Sequence, residues 1–153
     1  MHQLNLPAYP VKTRKTDDKT EVFDPIRKRY VLLTPEEWVR QQFIGYLITE
    51  KHYPESLISI EKGIKVNRMY KRFDAVISDR SGKPAVLIEF KSPKIPVSQK
   101  VFEQIAAYNI GLKVKYLIVS NGMKHYCCLV DYEDKSFSFL DTIPEYSELQ
   151  DEG

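Results

Sequence analysis

Two runs near the middle of the chain, AVLIEFK (85–91) and KYLIVS (115–120), constrain the fold more than any other feature. Each is short and almost continuously apolar, the pattern of a strand covered on both faces. Between them, from about Ser98 to Leu112, Val101, Ile105, Tyr108 and Leu112 recur at helical spacing. Strand, helix, strand in that order predicts a right-handed parallel crossover, and therefore a sheet with helices on its faces.

The flanking segments extend this plan. Thr34 can cap a helix with Pro35 at its first position and Glu37 closing a capping box. Trp38, Gln41, Phe43, Ile44, Leu47 and Ile48 continue it, and it should end near Lys51–Tyr53, before Pro54. LISIEKGIKV, FDAVIS and PAVLIEFK read as strands, the last two joined by the hairpin signal DRSGKP. Asn121-Gly122 turns the chain into HYCCLVDYE, and SFSFLDTI adds a last strand. The prediction is an α/β (α+β) fold with a mixed central sheet flanked by helices.

The 153 residues, 42% hydrophobic, fit one globular domain. Residues 1–21 are polar, carry KTRKTDDKT, and read as an arm or irregular loop. The domain spans 22–145, beginning with short β-like pieces around Pro25, and 146–153 form an acidic tail. The formal net charge of +2 names no partner, but its distribution is uneven. Lys62, Lys65, Arg68, Lys71 and Arg72 occur with no acid among them, while acids crowd the stretch from Asp131 to Glu152. The basic stretch fits either a phosphate-attracting patch or a solvated strand surface. Cys127 and Cys128 are adjacent, which suits neither a disulfide nor a zinc box, so buried reduced thiols and a cytoplasmic setting are expected. There is no signal-peptide pattern and no apolar run of membrane-spanning length.

Alternation puts Val86, Ile88 and Phe90 on one face of their strand and Leu87, Glu89 and Lys91 on the other. If Ser81-Gly82 is a two-residue loop, Arg80 faces Lys83, and Asp74 falls opposite Glu89 with β-carbons about 5 Å apart. Two facing carboxylates repel, and burying them costs several kcal/mol without a partner. Lys91 supplies one positive charge. A divalent cation would supply more, and two carboxylates with the Phe90 carbonyl suit Mg²⁺ or Mn²⁺. The same residues also fit a cross-strand salt-bridge cluster on a solvated face. Arg68, Lys71, Arg72, Lys94 and Lys100 are candidate phosphate contacts, of the kind that position DNA without reading its sequence.

An Asp on one strand, fourteen intervening residues, then Glu89-Phe90-Lys91 at the end of the next resembles the signature of the PD-(D/E)XK nuclease superfamily, with Phe73 where the superfamily name has Pro. TPEEWVRQQFIGYLI, KRFDAVISDRSGKPAVLIEFKSP, FEQIAAYN and YLIVSNGMKHYCC, in that order, resemble the N-terminal nuclease domain of type I restriction enzyme R subunits, in particular its small stand-alone bacterial form. The likeness covers about residues 22–145. R subunits continue into a large motor, whereas this chain ends at Gly153, so a nuclease-like domain without its own translocase is expected.

The resemblance implies a restriction-endonuclease-like fold and a Mg²⁺- or Mn²⁺-dependent endodeoxyribonuclease of restriction or defence type. Asp74, Glu89 and the Phe90 carbonyl would hold the metal. Lys91 would orient the attacking water or stabilise the transition state, since a lysine's reference pKa of about 10.4 argues against a simple general base. Gln104 and Tyr108 resemble the Gln-x-x-x-Tyr pair beside the active site of RecB-like members, though Tyr108 also fits a core position. Glu37 fits either a first-helix metal ligand or the helix cap; Glu36 is a weaker candidate. Partners would be DNA and a larger restriction complex or a second copy, with no membrane. The alternatives are a catalytically inactive nucleic-acid-binding module of the same fold and an interaction subunit joined through the N-terminal arm.

Overall fold

A computed structural model describes residues 3–66, 68–109 and 113–149, with side chains outside the description at 66, 69 and 107–109. Among the described residues, nine strands and two α-helices follow one another as β1 (Thr13–Thr16), β2 (Lys19–Asp24), β3 (Arg29–Leu32), α1 (Pro35–Glu50), β4 (Ile58–Val66), β5 (Met69–Ser78), β6 (Pro84–Phe90), α2 (Gln99–Asn109), β7 (Tyr116–Ser120), β8 (His125–Asp131) and β9 (Ser136–Leu140). The first three strands form a small antiparallel sheet. The other six form one mixed sheet in sequence order, antiparallel except for the parallel pair β6–β7.

The two apolar runs behave as their composition requires. All five residues of β7 are buried, because both faces of the sheet are covered there. On one face, Val39, Phe43, Ile44 and Leu47 of α1 pack on Ala75, Ile77, Val86, Ile88, Phe90 and Ile118. On the other, Phe102 and Ala106 of α2 pack among Val76, Leu87, Leu117, Val119 and Cys128. The adjacent thiols Cys127 and Cys128 are free and buried, one in each core. Burial pushes both up to about 12.

Several details differ from the sequence reading. The polar segment KTRKTDDKT folds as the β1–β2 hairpin, with Asp17 and Asp18 at positive φ in its turn. The residues before it lie along α1: Gln42 receives a hydrogen bond from Tyr9 N at 2.8 Å and returns one to Tyr9 O at 3.0 Å. On α2 the buried residues are Phe102 and Ala106, one position beyond the expected stripe, and Val101 and Ile105 are only half-buried. Phe102 turns inward because it meets Tyr126 and Phe139 there, with ring centroids 6.0 and 5.0 Å away. The expected stripe's last member, Leu112, lies outside the described residues. Among the described residues no helix is long and apolar enough to cross a membrane.

The β5–β6 turn differs in its loop and agrees in its register. Asp79, not Arg80, faces Lys83: Asp79 N donates to Lys83 O at 2.8 Å, and Gly82 N to Asp79 O at 3.0 Å. Gly82 takes φ 91°, which a glycine adopts without strain. The pairing then steps from Ser78↔Pro84 to Ile77↔Val86, leaving Ala85 as the extra residue of a bulge. That bulge restores the register expected from a two-residue loop, and Ala75↔Ile88 is the last pair before the site.

Candidate active site

Beyond Ala75↔Ile88 the two strands part. β5 continues with β4 as a long hairpin, while β6 ends at Phe90 and Lys91 N turns to Ser120 O on β7 at 2.9 Å. Asp74 and Glu89 are the next residues out, at the root of this fork. Asp74 closes it: its Oδ2 accepts a hydrogen bond from Phe90 N at 2.7 Å. Side-chain alternation also breaks here. Phe73 packs in the α2-side core with Val76, although three positions apart on a regular strand would put them on opposite faces. Across from this point Glu61 has φ 54°, between the pairs Ile60↔Ala75 and Lys62↔Phe73. The irregularity frees Asp74 to reach Phe90 on one side and Arg40 of α1, 3.6 Å away, on the other.

Glu89 is half-buried. Burial first, then the carboxylate of Asp74, pushes its carboxyl up to about 7; Lys91 and Lys71 oppose the rise and Glu36 adds to it. The charges of Asp74, Glu89, Lys91, Lys71 and Glu36 therefore act on one locus. Tyr70, Lys71, Arg72, Phe73, Glu89, Lys91 and Ile105 line a groove of about 330 Å³ over it. A second cavity of about 370 Å³ lies at the β5–β6 turn, between Arg80, Lys83, Lys115 and Tyr146, and contains none of the expected site residues.

Glu37 is a buried structural acid, and only half of the expected capping box forms. Thr34 Oγ1 accepts from Glu37 N at 3.0 Å, but Thr34 N donates to Leu32 O. The Glu37 carboxylate receives Arg40 at 2.6 Å, Arg27 at 2.7 Å and Gln41 at 3.1 Å. Both of its oxygens are thereby engaged, Oε1 by the two arginines and Oε2 by Gln41. Glu36, the weaker candidate from sequence, is the first-helix acid that feels the site: burial and Asp74 raise its carboxyl, while Arg40 and Lys91 lower it.

The basic candidates separate. Lys71 is buried rather than displayed, its Nζ 6.0 Å from the Phe73 ring; burial lowers its ammonium and Glu89 resists that. It belongs to the groove, not to a solvated phosphate surface. Arg72 is exposed and pairs with Glu61 at 2.8 Å. Arg68, Lys94 and Lys100 are exposed. Gln104 is exposed on α2, and its neighbour Ile105 supplies the groove wall. The Tyr108 side chain lies outside the described residues.

Sequence reasoning missed Arg40 and Asn121. Arg40 occupies a helix position that periodicity marks as neither core nor site. Asn121, expected as a plain turn residue, is buried: its Oδ1 accepts from Met123 N and Lys124 N, both at 2.9 Å. Its Nδ2 donates to Ile95 O at 2.7 Å, fixing the loop that follows Lys91.

Two carboxylates and the Phe90 carbonyl would make a hard, all-oxygen donor set of the kind that suits Mg²⁺ or Mn²⁺, and a dication would offset the burial and the Asp74 charge that raise the Glu89 carboxyl. Among the described residues no group of three or more His, Cys, Asp or Glu side chains forms a metal cluster, so the fit rests on these two acids and Phe90.

Comparison with known proteins gives two findings. The family described as type I restriction enzyme R protein N terminus matches residues 35–144. Among solved structures, the chain resembles a fragment assigned as an HsdR subunit of a type I restriction enzyme from Vibrio vulnificus YJ016, with 21% identity and a TM-score of 0.53. The match covers 76% of this chain and 24% of that one, so this likeness supports the fold. A search of curated proteins gives no match.

Proposed function

Because the chain belongs to the family of type I restriction enzyme R protein N termini, we propose that it is a restriction-type, divalent-metal-dependent DNA endonuclease. Asp74, Glu89 and Lys91 are its reacting group in this reading. The observation that supports it is the fork between β5 and β6. A two-residue loop alone would not predict Asp74 seated on Phe90 N while Glu89 lies desolvated beside it. An ordinary surface salt-bridge cluster would leave Glu89 hydrated and near its usual range.

Asp74, Glu89 and the Phe90 carbonyl would hold Mg²⁺ or Mn²⁺, which when bound supplies positive charge to the phosphate oxygens and lowers the pKa of the attacking water. The chain's residues do the rest. Phe90 N and Arg40 fix the Asp74 carboxylate in one orientation. Glu89 takes part as the carboxylate. Lys91 meets the phosphate as charge builds on its oxygens in the pentavalent transition state. Water adds to phosphorus, one P–O bond breaks, and the strand separates into a phosphate end and a hydroxyl end. Arg68, Lys94 and Lys100 would position the backbone from outside the groove, and Gln104 of α2 would stand at its margin. DNA is the proposed partner, within a larger restriction assembly.

The test is incubation of purified protein with plasmid DNA in Mg²⁺, Mn²⁺ or EDTA beside Glu89→Ala. Metal-dependent cutting that disappears in the variant is expected. Cutting that survives Glu89→Ala places the reaction elsewhere.

A further inference from the structure

Tyr70 is 69% exposed, the most open of the large hydrophobic side chains described, and it lies on the basic β4–β5 hairpin beside the groove. Its ring lies over Gly63. A β-carbon built on Gly63 would stand 1.8 Å from the Tyr70 hydroxyl oxygen, 2.1 Å from Cζ and 2.4 Å from Cε2. The far end of the ring therefore occupies the space that any other residue at position 63 would fill. Glycine weakens a strand, and within one it marks a close approach of another group. Here the approaching group is an aromatic ring, seated from the neighbouring strand through the registers Gly63↔Arg72 and Lys65↔Tyr70.

A ring that lies over a glycine at one end and is open to solvent over most of its surface is a poor contributor to a core. It is a ready surface for another flat group. Its surroundings select which one. Lys65, its cross-strand partner, is exposed, as is Arg68 on the connecting turn, and Glu61 of β4 is already engaged by Arg72 at 2.8 Å and Arg27 at 3.7 Å. Exposed cations flanking an open aromatic ring match the chemistry that binds single strands, where the backbone meets the charges and the bases stack on the ring. A paired base has both faces covered within the duplex stack, so a protein ring gains access to a base that has left it.

We propose that Tyr70, held on Gly63, is a stacking platform for an unpaired DNA base next to the phosphate that enters the Glu89–Lys91 groove. The inference rests on the nuclease reading for the presence of DNA and adds a strand preference to it: frayed, mismatched or single-stranded positions over intact duplex.

The experiment compares three probes in Ca²⁺ at fixed salt: a duplex carrying one unpaired thymine, the same duplex with an abasic unit in its place, and the fully paired duplex. Affinities are measured for the wild type, Tyr70→Phe, Tyr70→Ala and Gly63→Ala, with thermal unfolding as a check on folding. The wild type and Tyr70→Phe should bind the unpaired base roughly tenfold more tightly than the abasic probe. Tyr70→Ala should lose that difference, Gly63→Ala should lose it by displacing the ring, and both should keep their affinity for paired duplex. Equal wild-type affinity for base and abasic probes overturns the platform while leaving DNA binding in place. So does a Tyr70→Ala defect of equal size on all three probes. Failure of the wild type to bind any probe overturns the nuclease reading and the platform with it.

Discussion

Arg40 Nη2 stands 3.6 Å from Asp74 Oδ1 while Nη1 of the same guanidinium is 2.6 Å from Glu37 Oε1. Arg40 is 5% exposed, and its Nε is buried with no hydrogen-bond partner among the described residues. One cation thus joins the acid that anchors α1 to the acid at the fork. Through Glu37 and Arg27 the connection extends to Asp24 of the small sheet. Removing the cation takes one partner from the buried Glu37 and the ion pair from the half-buried Asp74, which costs about 3 kcal/mol. Arg40→Met should therefore lower the urea midpoint by a corresponding amount. Arg40→Lys should recover only part, because a point charge cannot fork between two carboxylates. An unchanged midpoint in Arg40→Met would contradict this account of the network.

The Asn121-Gly122 turn carries two separable constraints. Gly122 has φ 86°, and a β-carbon there would stand 2.7 Å from Leu4 Cδ2 and 3.1 Å from Val39 Cγ2. Gly122→Ala should destabilise the fold by about 1–2 kcal/mol through backbone strain, with the contact adding to it. Adding Leu4→Ala relieves the nearer contact and leaves the strain. In a denaturation cycle, the Gly122→Ala cost should fall in the Leu4→Ala background without vanishing. Full additivity of the two changes would show that Leu4 does not crowd the turn.

His125 gives the fold a pH dependence. Its Nε2 donates to Asn5 O at 2.9 Å, which leaves Nδ1 to accept from Ser120 Oγ at 2.7 Å. Burial lowers its pKa, and the bond to Asn5 only partly opposes this. The folded protein thus binds this proton less readily than the unfolded chain. The contribution is present above the ordinary histidine value of about 6.5 and is lost as pH falls below it, through the depressed folded value. Wild-type stability should drop more than that of His125→Gln between pH 7 and pH 5 in urea titrations. Parallel loss in both proteins would remove His125 as the cause.

The sheet was legible because its signals are local and strong. AVLIEFK and KYLIVS read as covered strands because they are short, apolar and bounded by turn signals, which also set their order. The Asp74–Glu89 juxtaposition was legible for a partly mistaken reason: the turn is one residue longer than assumed, and the bulge at Ala85 cancels the difference. The small sheet was not legible, since TRKT and KTEVFD are polar strands whose pairing depends on a turn of two aspartates at positive φ. Arg40 was invisible for another reason. A buried arginine on a helix declares itself only when the two acids it joins, Glu37 and Asp74, are brought together by tertiary packing. The same packing gives Glu36 and Glu37 different surroundings, Glu36 feeling the charges of Asp74 and Lys91 and Glu37 held by Arg27 and Arg40.

The central claim is that Asp74 and Glu89 hold a dication and that Lys91 acts on the phosphate. Its most direct measurement pairs Mn²⁺ binding by calorimetry with DNA cleavage, on the same preparations of wild type, Asp74→Asn, Glu89→Gln and Lys91→Ala. The account predicts that the two carboxylate variants lose both Mn²⁺ binding and cleavage, whereas Lys91→Ala keeps the metal and loses cleavage. Mn²⁺ binding of wild-type strength in Glu89→Gln, or cleavage undiminished in Lys91→Ala, would contradict it.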